Sequence, residues 1–217
     1  PRVCKDAKPV PEVTYEEAQE LAMFGAQVLH PRSMLPVRKT GTPVRVKNSY
    51  NIESPGSIIV EQHSGKVPPV CAITSVKHVS IFDIVSTRML GASGFLAHIF
   101  NQFLKWNISI DVIATSEVSV SLTVKTDEDL TGLLTDMQRV GATECKTGKA
   151  IVTVICDAAQ SSSIMATGFG ALAKEGINVQ MISKGASKVN ISMICDDEEV
   201  DTVVKTLHKA FFEQEQN

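Results

Sequence analysis

Residues 91–118 contain three features with the chemistry to hold a small zwitterion. The Gly-containing turn Gly91 to Gly94 precedes an apolar helical series. The first turn of such a helix presents backbone N–H groups with no intrahelical partner and the positive end of the dipole, which together favour an anion. Gly94 would let a ligand approach the backbone closely. Asp111 stands alone in the otherwise apolar run Ile108 to Ile113, where an acid is costly unless a cation accompanies it. Thr115-Ser116-Glu117 adds two hydroxyls and a second carboxylate. A carboxylate at the helix start and ammonium groups at the acids describe a free amino acid. Each feature also has a purely structural reading: Asp111 paired with a lysine of the chain, and Thr115 to Glu117 as plain hairpin chemistry.

The elements that must position these residues follow from periodicity. Phe95, Leu96, Ile99, Phe100, Phe103 and Leu104 fall on one face of a helix that Trp106 and Asn107 end. Ile108 to Ile113 reads as a strand. Val118, Val120, Leu122 and Val124 alternate with Ser119, Ser121, Thr123 and Lys125, which predicts a strand with one buried and one wet face. The same unit recurs 69 residues on: Phe100, Ile108, Ile113 and Val120 correspond to Phe169, Ile177, Ile182 and Val189. Asp111 becomes Gln180, Ser116 becomes Gly185, and Glu117 becomes Ala186. Each unit is preceded by an apolar run, near Val76 to Val85 and at Ile151 to Cys156. Each is followed by a helical pattern, Leu130 to Val140 and Glu198 to Phe211. The repeat predicts an α/β (α+β) chain with two split βαβ modules of the ferredoxin-like βαββαβ kind.

Composition narrows the function classes. The chain has 217 residues, 43% hydrophobic, which suits one or two folded domains rather than disorder. A formal net charge of −3 argues against a nucleic-acid partner, because no Lys/Arg stripe would neutralise phosphates. Five cysteines with no CxxC read as free thiols in a reducing compartment rather than as disulfides or metal ligands. No apolar run reaches the roughly 20 residues of a membrane span, so no membrane partner is expected.

The N-terminal residues are organised differently. Pro1 to Pro11 is a Pro-punctuated, extended lead-in. Thr14-Tyr15-Glu16-Glu17 is a capping box opening a helix that stops at Gly25. A second helix is predicted from Arg32 to Lys39, short strands at Pro43 to Val46 and Ser57 to Val60, and a linker at His63 to Pro69. This segment has little core of its own and would be marginal alone. The expected divisions are residues 1–66, 67–147 and 148–217.

Pro1-Arg2-Val3, the run Phe24-Gly25-Ala26-Gln27-Val28-Leu29-His30-Pro31, and Pro43-Val44-Arg45-Val46-Lys47-Asn48-Ser49 resemble the last part of an aspartate kinase catalytic domain. The doubled module resembles that family's pair of ACT regulatory domains. Phe95-Leu96-Ala97 and Val112 to Ser119 resemble the lysine-sensitive type. Val44 to Asn51 and Met181 to Ser192 are nearest the monofunctional plant-like branch.

The resemblance implies nucleotide contacts at Arg2, Gln27 and Val28. Many bacterial members carry Lys at the position of Gln27, and a neutral amide cannot replace that cation at a phosphate. For His30 the structural reading, a helix-start histidine before Pro31, is kept. The resemblance also implies a lysine effector site at Met89, Ser93, Gly94, Phe95, Leu96, Ala97, Asp111, Thr115, Ser116, Glu117 and Val118. The whole enzyme would phosphorylate the side-chain carboxylate of aspartate with ATP and Mg²⁺, opening lysine, threonine and methionine synthesis. The family's Lys-Phe-Gly-Gly loop and substrate-binding acids have no counterpart among these residues. Phosphoryl transfer depends on such positioned groups, so no catalytic residue, cofactor or metal is assigned to this stretch and it is expected to be inactive alone.

The implied partners are L-lysine, the missing kinase portion, and a second copy paired through the ACT modules as a homodimer. The implied location is the cytoplasm or the plastid stroma. The start at Pro1 rather than Met favours a truncated or cleaved enzyme. A non-catalytic ACT subunit acting in trans on a kinase chain is the alternative, and service in another amino-acid enzyme is a remoter one.

Overall fold

The computed structural model describes residues 3–26, 29, 31–65, 67–126, 129–185 and 189–213. The N-terminal segment comprises β1 (Glu12–Thr14), α1 (Tyr15–Met23), α2 (Pro31–Thr40), β2 (Val44–Val46) and β3 (Ser57–Val60). Its three strands lie in the order β1-β3-β2, with β1 parallel and β2 antiparallel to β3. The capping box forms as expected. The Glu17 N–H donates to Thr14 Oγ1 at 3.2 Å, and the Thr14 N–H donates to the Glu17 carboxylate at 2.7 Å. The segment's core, Val13, Tyr15, Ala18, Leu21 and Ile59, is completed by Cys71 and Ile155 from the neighbouring sheet. A segment too small to close a core thus finishes it on its neighbour.

That neighbour is a six-stranded sheet. In chain order it uses β4 (Val70–Val85), α3 (Phe95–Lys105), β5 (Ile113–Thr115), β6 (Ser119–Lys125), α4 (Thr131–Val140) and β7 (Ala142–Cys156). It continues with α5 (Ser161–Lys174), β8 (Met181–Ser183), β9 (Asn190–Asp196) and α6 (Val200–His208), which runs on as a π-turn to Glu213. The strand order is β5-β6-β4-β7-β9-β8. This is two copies of the predicted four-stranded unit sharing their long central strands. Residues 79–85 of β4 pair with β6 in copy one, while Val70 to Val76 pair with the Ile151 to Cys156 half of β7, in copy two. Val70 accordingly packs in the copy-two core.

Each copy is closed by two helices on one face of the sheet. In copy one Ile99 and Phe103 of α3, with Leu133 and Met137 of α4, bury against Phe82, Ile84, Val120, Leu122 and Val124. Phe103 meets Phe82 edge-on at 5.9 Å. In copy two Leu172, Val203 and Leu207 do the same against Val152, Val154, Ile191 and Met193. Helix α3 ends in a left-handed Asn107 (φ 54°), and α5 ends in Gly176 (φ 71°) at the matching place. Asparagine tolerates that conformation because its short polar side chain bonds locally.

Four expectations are corrected. The opposite face of β6 is not wet: Thr123 is fully buried and Ser121 half-buried. The sheet curls until its edge strands meet, where Ser183 Oγ donates to the Ile113 carbonyl at 2.9 Å, and Val79, Ile81, Val112, Ile151, Met181 and Ile194 fill the interior. The strand expected over Ile108 to Ile113 begins at Ile113. Of the six apolar positions on α3, Phe100 and Leu104 face outward, at 39% and 75% exposure. The repeat changes register at the hairpin, since Ile113 pairs with Leu122 but Ile182 pairs with Met193, a loop two residues longer. Beyond the turn Val120 therefore corresponds to Ile191 rather than Val189.

The end of α3 is held by a local constraint. Trp106 lies over Gly132, where an added Cβ would fall 2.1 Å from the ring. The indole N–H donates to Asp136 at 2.9 Å, and Lys105 Nζ donates to the same carboxylate oxygen at 2.7 Å. Trp106 is the chain's only tryptophan. Gly132→Ala should displace it, cost about 1–3 kcal/mol as an overpacked site does, and shift its emission to the red. Denaturant titration followed by tryptophan fluorescence checks both.

Candidate functional site

The expected effector residues lie at two levels of copy one. At the upper end, β4 gives way to Ser86, whose hydroxyl accepts the Arg88 N–H at 3.3 Å and caps a single 3₁₀ turn, Thr87–Met89. Met89 is buried and its carbonyl accepts from the Ala92 N–H at 3.0 Å. Ser93 and Gly94 are exposed, and Gly94 is left-handed (φ 82°) as it leads into α3. Phe95 and Leu96 are half-buried against the copy-one core, while Ala97 is exposed.

The hairpin tip belongs to the same end. The Ser86 N–H donates to the Val118 carbonyl at 2.9 Å, fastening the tip to β4. Ser116 Oγ accepts the N–H groups of Val118 and Ser119 at 3.3 and 3.1 Å and lies 2.7 Å from Ser119 Oγ. Thr115 Oγ1 donates to the Ser119 carbonyl at 3.2 Å. The two hydroxyls thus shape the turn, while Glu117 and Val118 lie exposed at its tip.

Asp111 lies outside the hairpin tip. It precedes β5, half-buried, and its N–H donates to the Thr123 carbonyl at 2.9 Å. It stands four positions before Thr115, about 13 Å at the rise of an extended strand. It therefore lies farther along the sheet than the hairpin tip. Met89, Ser93 to Ala97 and Thr115 to Val118 lie toward one end of copy one, with Asp111 farther along the sheet. The expected nucleotide residues Arg2, Gln27 and Val28 lie outside the described residues, as do His30 and Ala186.

Copy two has a matching end with different neighbours. The Cys156 N–H donates to the Val189 carbonyl at 2.9 Å, and Asp157 caps the 3₁₀ turn Ala158–Gln160 by accepting the Ala159 N–H at 3.0 Å. Hydrogen bonds from the Gln160 side chain and the Ala159 N–H hold the Asp157 carboxyl below its usual range. This end does not stand free. It faces the N-terminal segment across a cavity of about 350 Å³, with Thr14, Glu17 and His63 on one wall and Cys156, Asp157 and Val189 on the other. His63 bridges Glu12 and Glu17 at 3.3 and 3.0 Å, and the 3%-exposed Glu17 is also the α1 cap. Asn190 Nδ2 donates to Glu20, and Thr74 Oγ1 donates to the Phe24 carbonyl.

The sequence had flagged Glu17 only as a cap and His63 only as linker. Nothing local in either announces a junction, because their partners lie 46 or more residues away. Burial pushes the Cys71 and Cys195 thiols up to about 12 and that of Cys156 to about 11, so all three stay protonated and unreactive at neutral pH.

Comparison with known proteins fits this arrangement. Residues 154–211 match the ACT domain family, and residues 1–48 match the amino acid kinase family. Aspartokinase 3, chloroplastic, of Arabidopsis thaliana is 46% identical, covering 98% of this chain and 40% of its own length. Lysine-sensitive aspartokinase 3 of Escherichia coli (strain K12) is 35% identical, covering 98% and 49%. Among solved structures, E. coli aspartokinase III with lysine and aspartate (T-state) superposes with a TM-score of 0.83 at 33% identity, over 98% of this chain and 48% of that one. A regulatory domain of aspartate kinase from Porphyromonas gingivalis W83 covers only 65% of this chain, at 25% identity and a TM-score of 0.57.

Fold and matches together define a protein in which paired ACT modules adjoin an amino-acid-kinase segment. The chain belongs to the aspartokinase family. It spans about two fifths to half the length of the curated relatives it matches.

Because Ser116 closes the tip through two amides, Ser116→Ala should speed hydrogen exchange at Val118 and Ser119. The stability cost should be at the low end of about 0.5–1.5 kcal/mol, since water can reach both groups. Site-resolved exchange by NMR measures it; unchanged rates at both amides would remove the hydroxyl from the account of the turn.

Proposed function

We propose that this chain is the effector-sensing portion of an aspartate kinase, in which copy one binds L-lysine and copy two passes the signal to the kinase portion. One observation carries the reading. The copies are built alike, yet the upper end of copy two is occupied by the kinase-type segment while that of copy one is exposed. A sensor needs one module open to the ligand and the other in contact with what it controls.

The choice of lysine has its own support. Copy one carries Asp111 where copy two has Gln180, and its hairpin tip adds Glu117. Gln180, a neutral amide donating to Asp196 at 3.0 Å, offers no carboxylate to an ammonium. Asp111 lies some distance down the sheet from the tip, so a ligand touching both must be extended, with charge at each end. Lysine, with its ammonium on a flexible four-carbon stem, has that form; threonine, with one ammonium and a short side chain, does not. The similar E. coli enzyme is named lysine-sensitive and was solved with lysine bound.

Several features are carried over from the family on the same basis. The parent enzyme would convert ATP and L-aspartate to 4-phospho-L-aspartate with Mg²⁺. Arg2, Gln27 and Val28 would lie at its nucleotide, and these residues alone would not turn over. The chain would pair as a homodimer through its ACT modules. Plant relatives are named chloroplastic, which supports a plastid address; no helix among the described residues is long and apolar enough to cross a membrane. The match of residues 1–48 to the amino acid kinase family favours this over a separate non-catalytic subunit.

Calorimetry tests the assignment. Removing one partner of a desolvated charge pair costs roughly 2–5 kcal/mol, so Asp111→Ala should weaken lysine binding at least about 30-fold. Gln180→Ala should leave it within about threefold, as a residue outside the site contributes little. Equal lysine affinity in parent and Asp111→Ala, both folded by circular dichroism, would place the ligand elsewhere.

A further inference from the structure

The two long strands leave one copy and enter the other through a matched pair of irregularities. In β4, the ladder to β7 shifts register between Val76 and Val79 and again before Ile81. Within the first shift His78 is left-handed, at φ 61°. In β7 the corresponding residue is Gly148, at φ 67°. Their surroundings match as well. The His78 carbonyl accepts the Thr126 N–H at 2.9 Å, and the Gly148 carbonyl accepts the Asp197 N–H at 2.9 Å. Thr126 and Asp197 each follow the last residue of an inner strand, β6 and β9 respectively.

The pair differs in one respect. Glycine adopts the left-handed region at no steric cost, and an added Cβ at Gly148 would meet nothing within 4 Å. Histidine adopts it against a penalty, and here its side chain reaches across the copies. His78 Nδ1 lies 2.9 Å from Asp197 Oδ2, and the adjacent Lys77 Nζ lies 3.2 Å from Asp201 Oδ1 at the start of α6. Asp197 therefore touches both irregularities, His78 through its carboxylate and Gly148 through its backbone N–H. The copy-two corner is itself fixed, since Lys149 and Gln180 both donate to Asp196.

We propose that His78 and Gly148 form the swivel between the two ACT modules, and that the His78–Asp197 and Lys77–Asp201 contacts clamp it in the arrangement seen here. Strand bulges bend and twist a ladder where they occur. Two of them, one on each strand at the same level, leave the modules joined by continuous backbone that can bend there, within the slack of the core they share. The side-chain contacts select one angle by tying copy-one backbone to the helix that copy two buries. The swivel is a property of the fold and does not depend on which effector copy one takes.

Distance measurements between nitroxides at Asn101→Cys and Gly170→Cys test it. Both sites are exposed, at matched places on α3 and α5, and the half-buried Cys4 and Cys145 are changed to serine in the parent. His78→Gly removes the imidazole while easing the backbone. Asp197→Asn keeps the backbone N–H and removes the charge. Either change should raise the population of displaced distances by up to about fivefold, the most expected of one exposed polar contact. Glu144→Gln, which breaks only the exposed pair with Lys146 on β7, should leave the distribution as in the parent. A distribution unchanged in both His78→Gly and Asp197→Asn overturns the proposal. So does equal broadening in Glu144→Gln, which would make the effect one of general loosening.

Discussion

Strands β4 and β7 pair antiparallel from Val70 against Cys156 to Val85 against Ala142, and every other part of the structure hangs on that ladder. Each strand serves two modules. Cutting the ladder would remove the central strands of both sheets at once, expose Phe82 and Ile84 in one core and Val152 and Val154 in the other, and unseat Cys71 and Ile155 from the N-terminal segment. The ACT pair is therefore one structural unit with two cores rather than two domains on a string. A displacement at the upper end of copy one has a continuous, hydrogen-bonded path to the kinase-type segment.

The ladder also joins two similarly built units whose surroundings differ. Their folds match through the helix, the left-handed cap and the 3₁₀ turn. What differs is what meets each upper end: exposed Ser93, Gly94 and Glu117 in copy one, and α1 with His63 in copy two. Sheet curling places the polar face of β6 inside, so copy one retains its helix start and hairpin tip as exposed surface.

Much of this was legible in the sequence, because it is local. The capping box at Thr14 and Glu17, the alternation in β6 and the repeat each depend on residues within a few positions of one another. The family resemblance rested on such short runs and held over the whole chain. What stayed hidden is set by distant partners. Thr123 alternates as a wet residue should, and is buried because β8 curls round to meet β5 some 70 residues away. Phe100 and Leu104 fit the helical stripe, yet the core is already filled by Ile99 and Phe103. The run Val70 to Val85 shows no break at which its neighbours change, although His78 marks the spot. The offset of Val120 was misassigned because two extra residues in a turn leave both flanking patterns intact. Asp111 stood out as chemistry, but its pairing with the Thr123 carbonyl depends on a register set by the neighbouring strand.

The central claim, that lysine binds copy one and is felt through the shared strands at the kinase-type segment, is tested most directly by hydrogen–deuterium exchange with and without lysine. The account predicts slowed exchange at Ser86 to Ala97 and Thr115 to Ser119, together with altered exchange along β4 and β7 and at Thr14 to Glu17. Protection confined to copy two, or protection in copy one with no change at Thr14 to Glu17, would contradict it.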